Sequence, residues 1–166
     1  MILNFGKCRI DFTQSVGRAI PANASWTQIT EPREGTAKLT TNEGSDLEAK
    51  IEGGEILDSL PGKGSYTFEW EVFVKKGAAA PFNDNDGVVS GEWALRVIPV
   101  EDTTCPSIQI DCCVIKASQD YTVNDAWRIK YTAKCLKPAA GNTIKRIGMG
   151  AATPTATAVG ATPVDE

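Results

Sequence analysis

Alternation between apolar and polar residues with a period of two is the strongest pattern in this chain. It is clearest over residues 65–74, where Thr67, Glu69 and Glu71 separate the apolar positions. Those apolar positions are Tyr66, Phe68, Trp70, Val72 and Val74. Because successive side chains of a strand point to opposite faces, this alternation predicts a half-buried strand of an antiparallel sheet.

Two further stretches repeat this pattern. Residues 127–135 alternate basic positions with the apolar residues Trp127, Ile129, Tyr131, Ala133 and Cys135. Residues 107–116 predict one apolar face, made of Ile108, Ile110, Cys112 and Val114. Together these strands predict the centre of the core, since burial of each large apolar side chain contributes about 1.5–3 kcal/mol.

Shorter strands are predicted at residues 7–13, 25–29 and 95–100. Two more strands, at residues 36–41 and 46–52, are predicted to pair as a hairpin through Asn42, Glu43 and Gly44. The following segment, residues 53–64, is rich in turn formers and predicts an extended loop. It also carries the aliphatic residues Ile56, Leu57 and Leu60, which we interpret as a contact surface for another subunit.

Only residues 78–92 could form a helix, and Pro81, Gly87 and Gly91 limit it to a short one. The high content of turn formers, 15 Gly and 9 Pro in 166 residues, favours a mainly β chain. A chain of this length fits one domain with its own core, which we assign to residues 1–147.

Residues 148–166 form a low-complexity segment of Ala, Thr, Pro and Gly. This composition is too poor in bulky apolar residues to build a core of its own. We interpret the segment as a C-terminal arm that contacts a neighbouring subunit, with Met149 and Val159 as its candidate contacts.

The charge of the chain disfavours tight binding of nucleic acid. Lys and Arg number 17 against 21 Asp and Glu, a formal net charge of −4, whereas nucleic-acid-binding surfaces are basic. The first residues lack the pattern of a signal peptide, and no run of about 18 apolar residues occurs, so neither secretion nor a membrane span is expected. The five cysteines include no C-x-x-C pair and predict buried free thiols in a reducing cytoplasm.

No catalytic or metal-binding motif is recognisable in the sequence. The absence of histidine excludes imidazole metal ligands and Ser-His-Asp or Cys-His catalysis. The carboxylate pair Glu69 and Glu71 is typical of a solvated strand face, and residues 84–87 fit an Asx-rich turn better than a calcium loop. We therefore expect no enzyme activity, no metal and no cofactor.

Exposed aromatic residues would be a platform for sugars, and the candidates are Trp26, Trp93, Trp127 and Tyr121. The alternation favours core packing for Trp127. The pattern leaves Trp26 and Trp93 open, so a carbohydrate-binding or adhesion module remains an alternative.

The order of the strand and turn segments along residues 20–140 resembles that of a known protein family. A strand with Trp26 precedes Glu34-Gly35-Thr36-Ala37, an acidic hairpin and Gly53-Gly54-Glu55. The later segments are Lys63-Gly64-Ser65-Tyr66-Thr67-Phe68-Glu69-Trp70-Glu71, Ala94-Leu95-Arg96-Val97-Ile98-Pro99 and Ala126-Trp127-Arg128-Ile129-Lys130-Tyr131-Thr132. This order resembles the major tail tube protein of long-tailed bacteriophages, particularly the type found in phages and prophages of Bacteroides-like bacteria.

The resemblance implies a barrel-like β-sandwich with one short flanking helix, similar to the haemolysin-coregulated tube protein of type VI secretion. It implies hexameric rings that stack into a tube, located in the virion tail after assembly in the host cytoplasm. DNA would pass through without sequence-specific binding, and the partners would be further copies and other tail proteins such as the tape measure, sheath or terminator. We predict Thr67, Glu69 and Glu71 as lumen-facing positions, because duplex DNA slides along a surface without clustered cations. Another virion component and a secretion-system tube remain alternatives.

Overall fold

The computed structural model describes residues 7–29, 31–100 and 104–148, and this part of the chain is all-β, as predicted. Its strands are β1 (Cys8–Gln14), β2 (Thr27–Gln28), β3 (Lys38–Asn42), β4 (Leu47–Lys50), β5 (Ile56–Leu60), β6 (Ser65–Phe73), β7 (Asp84–Asn85), β8 (Val88–Val89), β9 (Trp93–Pro99), β10 (Ser107–Asp120), β11 (Arg128–Cys135) and β12 (Ile144–Ile147). Strands β4 and β5 form a small sheet of their own, and the other strands form one large antiparallel sheet.

The long strand β10 belongs to two portions of the large sheet. Its first residues lie between β9 and β12, and its last residues pair with β11, while β8 joins it from the other side. The strand order through the large sheet is β2-β1-β9-β10-β11-β6-β3. The expected barrel is therefore wrong for the single chain, because β2 and β3 end the sheet and do not pair with each other.

A β-bulge between Ile110 and Cys113 changes the face to which β10 presents its residues. Beyond the bulge Cys113 and Ile115 are buried, whereas Val114 is exposed. The predicted common face of Ile110 and Val114 is therefore wrong, because one extra residue in a strand reverses the alternation that follows.

The alternation of the other two long strands is confirmed at their centres. Phe68, Trp70 and Val72 of β6 are buried, and so are the alternate residues of β11 from Ile129 to Cys135. Trp127 lies just before β11 and is 42% exposed, so the prediction that it packs in the core is wrong.

Phe82 joins the two portions of the sheet in the core. Its ring lies 4.5 Å from Phe12 and 5.1 Å from Trp93, which belong to β1 and β9. It also lies 6.3 Å from Trp70 and 5.5 Å from Tyr131, which belong to β6 and β11. These contacts hold the faces of the two portions together, since aromatic pairs at such distances contribute beyond the area that they bury.

The short helix predicted for residues 78–92 does not form. The segment contains β7 and β8, which pair across a tight turn at Asp86 and Gly87, both with positive φ. The carboxylate of Asp84 accepts a hydrogen bond from the backbone N–H of Gly87 at 3.0 Å. This Asx turn satisfies the backbone locally and stops helical hydrogen bonding.

The predicted hairpin between residues 36–41 and 46–52 is also wrong. Strand β3 pairs with β6, and β4 pairs with β5. The chain continues past Gly44 without reversing, so the turn lies farther on, between β4 and β5. In the described residues no helix has the length and apolar composition needed to cross a membrane.

Candidate assembly surfaces

Residues 43–64 form a hairpin that lies outside the large sheet, and we call it the projecting hairpin. It consists of β4, β5 and their flanking turns, with Leu47 opposite Leu60 and Ala49 opposite Asp58. Every residue of β4 and β5 is exposed. The hairpin therefore presents both of its faces to the surroundings.

The projecting hairpin carries large apolar side chains that the subunit itself does not cover. The exposed fractions are 72% for Leu47, 73% for Leu57 and 65% for Leu60, and Ile56 is also exposed. Ile56, Leu57 and Leu60, which the sequence predicts as a contact surface, are therefore exposed, and their contact with another subunit stays a prediction. Clustered exposed aliphatic residues are typical of protein interaction sites.

The projecting hairpin is also acidic. It contains six carboxylate side chains and two lysines, a formal charge of −4 that equals the net charge of the whole chain. One ion pair lies within it, between Lys50 and Glu48 at 3.1 Å. Asp46 and Asp58 are next to Leu47 and Leu57 in the chain, so the hairpin combines apolar and anionic residues.

Glycines fix the base of the projecting hairpin. A Cβ atom at Gly44 would overlap the carbonyl oxygen of Lys63, and one at Gly62 would overlap that of Ser45. Across the same base, the carboxylate of Asp46 accepts a hydrogen bond from the backbone N–H of Gly62 at 3.0 Å. The two segments therefore approach backbone to backbone, which only glycine permits.

The two ends of the large sheet offer strand edges. Strand β3 pairs with β6 on one side, and among residues 7–29, 31–100 and 104–148 no strand pairs with its other side. At the opposite end, the two-residue strand β2 pairs with Asp11 and Phe12 of β1, and the backbone N–H of Ile29 donates a hydrogen bond to the carbonyl oxygen of Ile10 at 2.8 Å. Such edges carry backbone N–H and C=O groups that pair readily with a strand of another chain.

The residues predicted to face a lumen lie together on the outward face of β6, opposite its buried residues. Thr67, Glu69 and Glu71 are all half-buried there. Glu69 forms an ion pair with Lys130 at 3.3 Å, and Glu71 forms one with Arg33 at 2.8 Å. Both carboxylates are thus neutralised within the subunit, and their exposure to a channel stays a prediction.

Next to these residues lies a cationic surface, which extends the basic face predicted for residues 127–135 onto β10. Lys116, Lys130 and Lys134 share the outward face of β10 and β11 with Val114, and we call these four residues the lysine face. Lys116 and Lys134 form no ion pair within the described chain. The contribution of β10 was not predicted, because the simple alternation of residues 107–116 assigns Val114 to the core.

The four aromatic candidates for a sugar platform lie at separate places. Trp93 contacts Phe12 and Phe82 in the core, whereas Trp26 lies under the guanidinium of Arg96 at 4.1 Å from the ring centre. A second aromatic pair lies at the turn between β10 and β11. Tyr121 is 69% exposed and packs edge-on against Trp127 at 5.9 Å, so this pair is the exposed aromatic surface among the four.

The buried cysteines are poor nucleophiles in this environment. Cys113 lies opposite Cys135 across β10 and β11, and its thiol donates a hydrogen bond to the carbonyl oxygen of Trp93 at 3.2 Å. Burial raises the pKa of Cys135 to about 12 and that of Cys112 to about 11, where the neighbouring Glu92 carboxylate raises it further. These thiols are protonated at neutral pH and therefore react slowly.

Two buried carboxylates are paired with cations. Asp11 accepts two hydrogen bonds from Arg9 at 3.0 Å, and Asp111 binds Lys145 and accepts a hydrogen bond from Gln109 at 2.8 Å. In the part of the chain that the structure describes, no group of three His, Cys, Asp or Glu residues is arranged to hold a metal ion.

The predicted contacts Met149 and Val159 lie outside the described residues, as does nearly all of residues 148–166. A scan of the sequence against protein-family models finds no match, and a search of curated proteins finds none either.

Proposed function

We propose that this chain is the structural subunit of a phage tail tube, which forms hexameric rings that stack around a central channel for DNA. The observation that carries the proposal is the projecting hairpin, with its exposed Leu47, Ile56, Leu57 and Leu60. Because these four aliphatic side chains are largely exposed, each forgoes part of the about 1.5–3 kcal/mol that full burial contributes. A second subunit that covers them would recover this free energy.

The strand edges support the same proposal. Six copies can pair the edge of β3 with the β1 and β2 end of the next copy, which would form one continuous barrel around the channel. Closure of this kind removes exposed edges, which otherwise promote aggregation. The resemblance of the strand order to tail tube proteins is the basis for proposing six subunits in each ring and the stacking of rings. In this proposal the partners are further copies and other tail proteins, and the location is the virion tail.

Electron microscopy of the purified protein tests this proposal. Negatively stained wild-type chain at high concentration is expected to show rings or tubes. The variant Leu57→Asp/Leu60→Asp is expected to stay folded and to lose them, because it places charge in the apolar contact. A matched control, Val16→Asp/Val123→Asp, changes two exposed aliphatic residues outside the hairpin and should assemble like the wild type.

A second variant tests the C-terminal segment. Deletion of residues 148–166 is expected to leave the subunit folded and to weaken assembly, which circular dichroism and electron microscopy would separate. A wild-type chain that remains a monomer at every concentration would overturn the proposal.

A carbohydrate-binding or adhesion module is the second candidate, and the exposed pair of Tyr121 and Trp127 favours it. The turn that carries them also presents Arg128, which forms ion pairs with Asp120 at 2.7 Å and Asp125 at 3.3 Å. Aromatic rings beside such polar groups suit sugars, which combine apolar faces with hydroxyl groups. A glycan-binding assay with wild type and Trp127→Ala would test it, and binding by a monomer would favour this candidate over the tube.

A further inference from the structure

The lysine face and the projecting hairpin have complementary chemistry on different parts of one subunit. The lysine face presents Lys116 and Lys134 around the exposed side chain of Val114. The hairpin presents carboxylates around exposed leucines and has a formal charge of −4. We propose that the projecting hairpin of one subunit docks on the lysine face of a second subunit.

The register of the strands places the two unpaired lysines next to each other. Lys134 lies opposite Val114, and Lys116 lies opposite Thr132, so the lysines are diagonal neighbours on adjacent strands. Diagonal neighbours of this kind lie about 7–8 Å apart. Without a nearby anion they repel each other, and an incoming carboxylate between them would relieve that repulsion.

The same face extends the cationic surface toward the sheet edge. Lys38 of β3 lies opposite Glu69, and Lys130 forms an ion pair with the same Glu69. One carboxylate thus lies between two lysines, so the surface keeps an excess of positive charge. Across β3, β6, β11 and β10 this outward face therefore attracts an anionic partner.

The hairpin has the matching arrangement on one of its faces. Leu47 and Leu60 are opposite each other in the register, and Asp58 lies two residues from Leu60 on the same side of β5. An apolar pair with a carboxylate beside it fits Val114 with lysines beside it. Complementary charges of this kind determine register and partner choice in an interface.

This inference rests on the proposed function, and it assigns the outward face of β10 and β11 to a neighbouring subunit and not to the channel. Unpaired lysines lining a channel would retain DNA through its phosphates. Neutralisation by the hairpin of the next copy removes that difficulty. The contact is heterologous, since hairpin and lysine face are different surfaces, and such contacts continue from copy to copy.

Charge reversal on each surface tests the contact. The face-reversed variant is Lys116→Glu/Lys134→Glu, and the hairpin-reversed variant is Glu55→Lys/Asp58→Lys. Each variant alone is expected to raise the concentration for half-assembly by about tenfold or more, measured by light scattering after size-exclusion chromatography. Combining the four substitutions in one chain is expected to restore assembly, because the attraction is re-formed with the signs exchanged.

A mixture of the two variants gives a sharper result. The lysines introduced into the hairpin of the hairpin-reversed variant are complementary to the acidic face of the face-reversed variant. Within each variant alone, positions 55 and 58 of the hairpin and the face carry the same sign of charge and repel each other. A one-to-one mixture is therefore expected to associate where each variant alone does not. The control Lys75→Glu/Lys76→Glu makes the same charge change on exposed residues outside the lysine face and should assemble like the wild type.

Three outcomes would overturn the inference. If the wild type assembles and the face-reversed variant assembles equally well, the docking surface is wrong while the proposed tube function stands. If the wild type never assembles, the docking contact and the proposed tube function are both wrong. If wild type binds duplex DNA and Lys116→Glu/Lys134→Glu abolishes that binding without affecting assembly, the lysine face contacts DNA and not the hairpin.

Discussion

Gly44 and Gly62 lie backbone against backbone at the base of the projecting hairpin, where neither position has room for a Cβ atom. The hairpin continues the ribbon of β3 and β6 beyond this point, from the pair Asn42 and Ser65 to the pair Leu47 and Leu60. The glycine contact therefore sets the direction in which the hairpin leaves the sheet.

Substitution of either glycine should loosen the hairpin and leave the core intact. In Gly44→Ala and Gly62→Ala the new methyl group would meet backbone atoms, and relieving such overlap costs about 1–3 kcal/mol. Hydrogen exchange measured by mass spectrometry should show faster exchange over residues 47–60 and unchanged exchange in β6 and β11. Ser45→Ala at the same base is the control and should leave hairpin exchange unchanged. Equal exchange in all three variants would show that the contact does not fix the hairpin.

Trp70 and Trp127 provide a matched comparison of burial. Trp70 is fully buried against Phe68, Phe82 and Tyr131, whereas Trp127 is 42% exposed. Trp70→Ala is expected to lower the free energy of unfolding by about 3–5 kcal/mol. Trp127→Ala is expected to lower it by about 1 kcal/mol, the scale of its pairing with Tyr121. Urea unfolding followed by circular dichroism measures both, and similar losses would contradict the described packing.

These two tryptophans also show how far the sequence alone predicts this fold. Alternation identified β6 and β11 and placed Trp70 and Tyr131 in the core, because each strand is regular along its length. The same alternation wrongly placed Trp127 in the core, because β11 begins only at Arg128 and the alternation gives no signal for a strand end.

The candidate surfaces were predicted less completely than the strands. Ile56, Leu57 and Leu60 stood out because aliphatic residues are unusual among turn formers. Alternation indicated the basic positions of β11, whereas the part of the lysine face on β10 was missed, because the bulge between Ile110 and Cys113 leaves no clear mark in the apolar pattern. Pairing of β3 with β6 was missed as well, since hydrophobic alternation identifies strands but not their partners.

The buried thiols should make the fold sensitive to alkaline pH. Burial raises the pKa of Cys135 from 9.0 to about 12, so above pH 9 the unfolded chain loses this proton while the folded chain keeps it. Deprotonation then stabilises the unfolded state, and the free energy of unfolding decreases from pH 9 towards pH 12. Under reducing conditions, Cys135→Ala should therefore show a smaller decrease between pH 8.5 and 10.5, an interval set by these pKa values. A decrease equal to that of the wild type would contradict this assignment.

Asp111 should hold β12 against the sheet. Its buried carboxylate accepts a hydrogen bond from Gln109 and pairs with Lys145, which lies on β12. Asp111→Ala leaves the side chains of Gln109 and Lys145 without their acceptor. It should lower the free energy of unfolding by about 1–3 kcal/mol, the range for an unsatisfied buried group. Asp111→Asn keeps an acceptor oxygen of similar size and should cost less.

Hydrogen exchange would locate this loss. Release of β12 predicts faster exchange over residues 144–147 in Asp111→Ala, with little change in β6 on the other portion of the sheet. Among the described strands β12 pairs with β10 alone, through four positions from Ile144 to Ile147, and Ile144 packs against the core. The ion pair of Asp111 and Lys145 adds to these contacts. An equal loss of protection in β6 would show instead that β12 and the core unfold as one unit, and that Asp111 stabilises the whole domain.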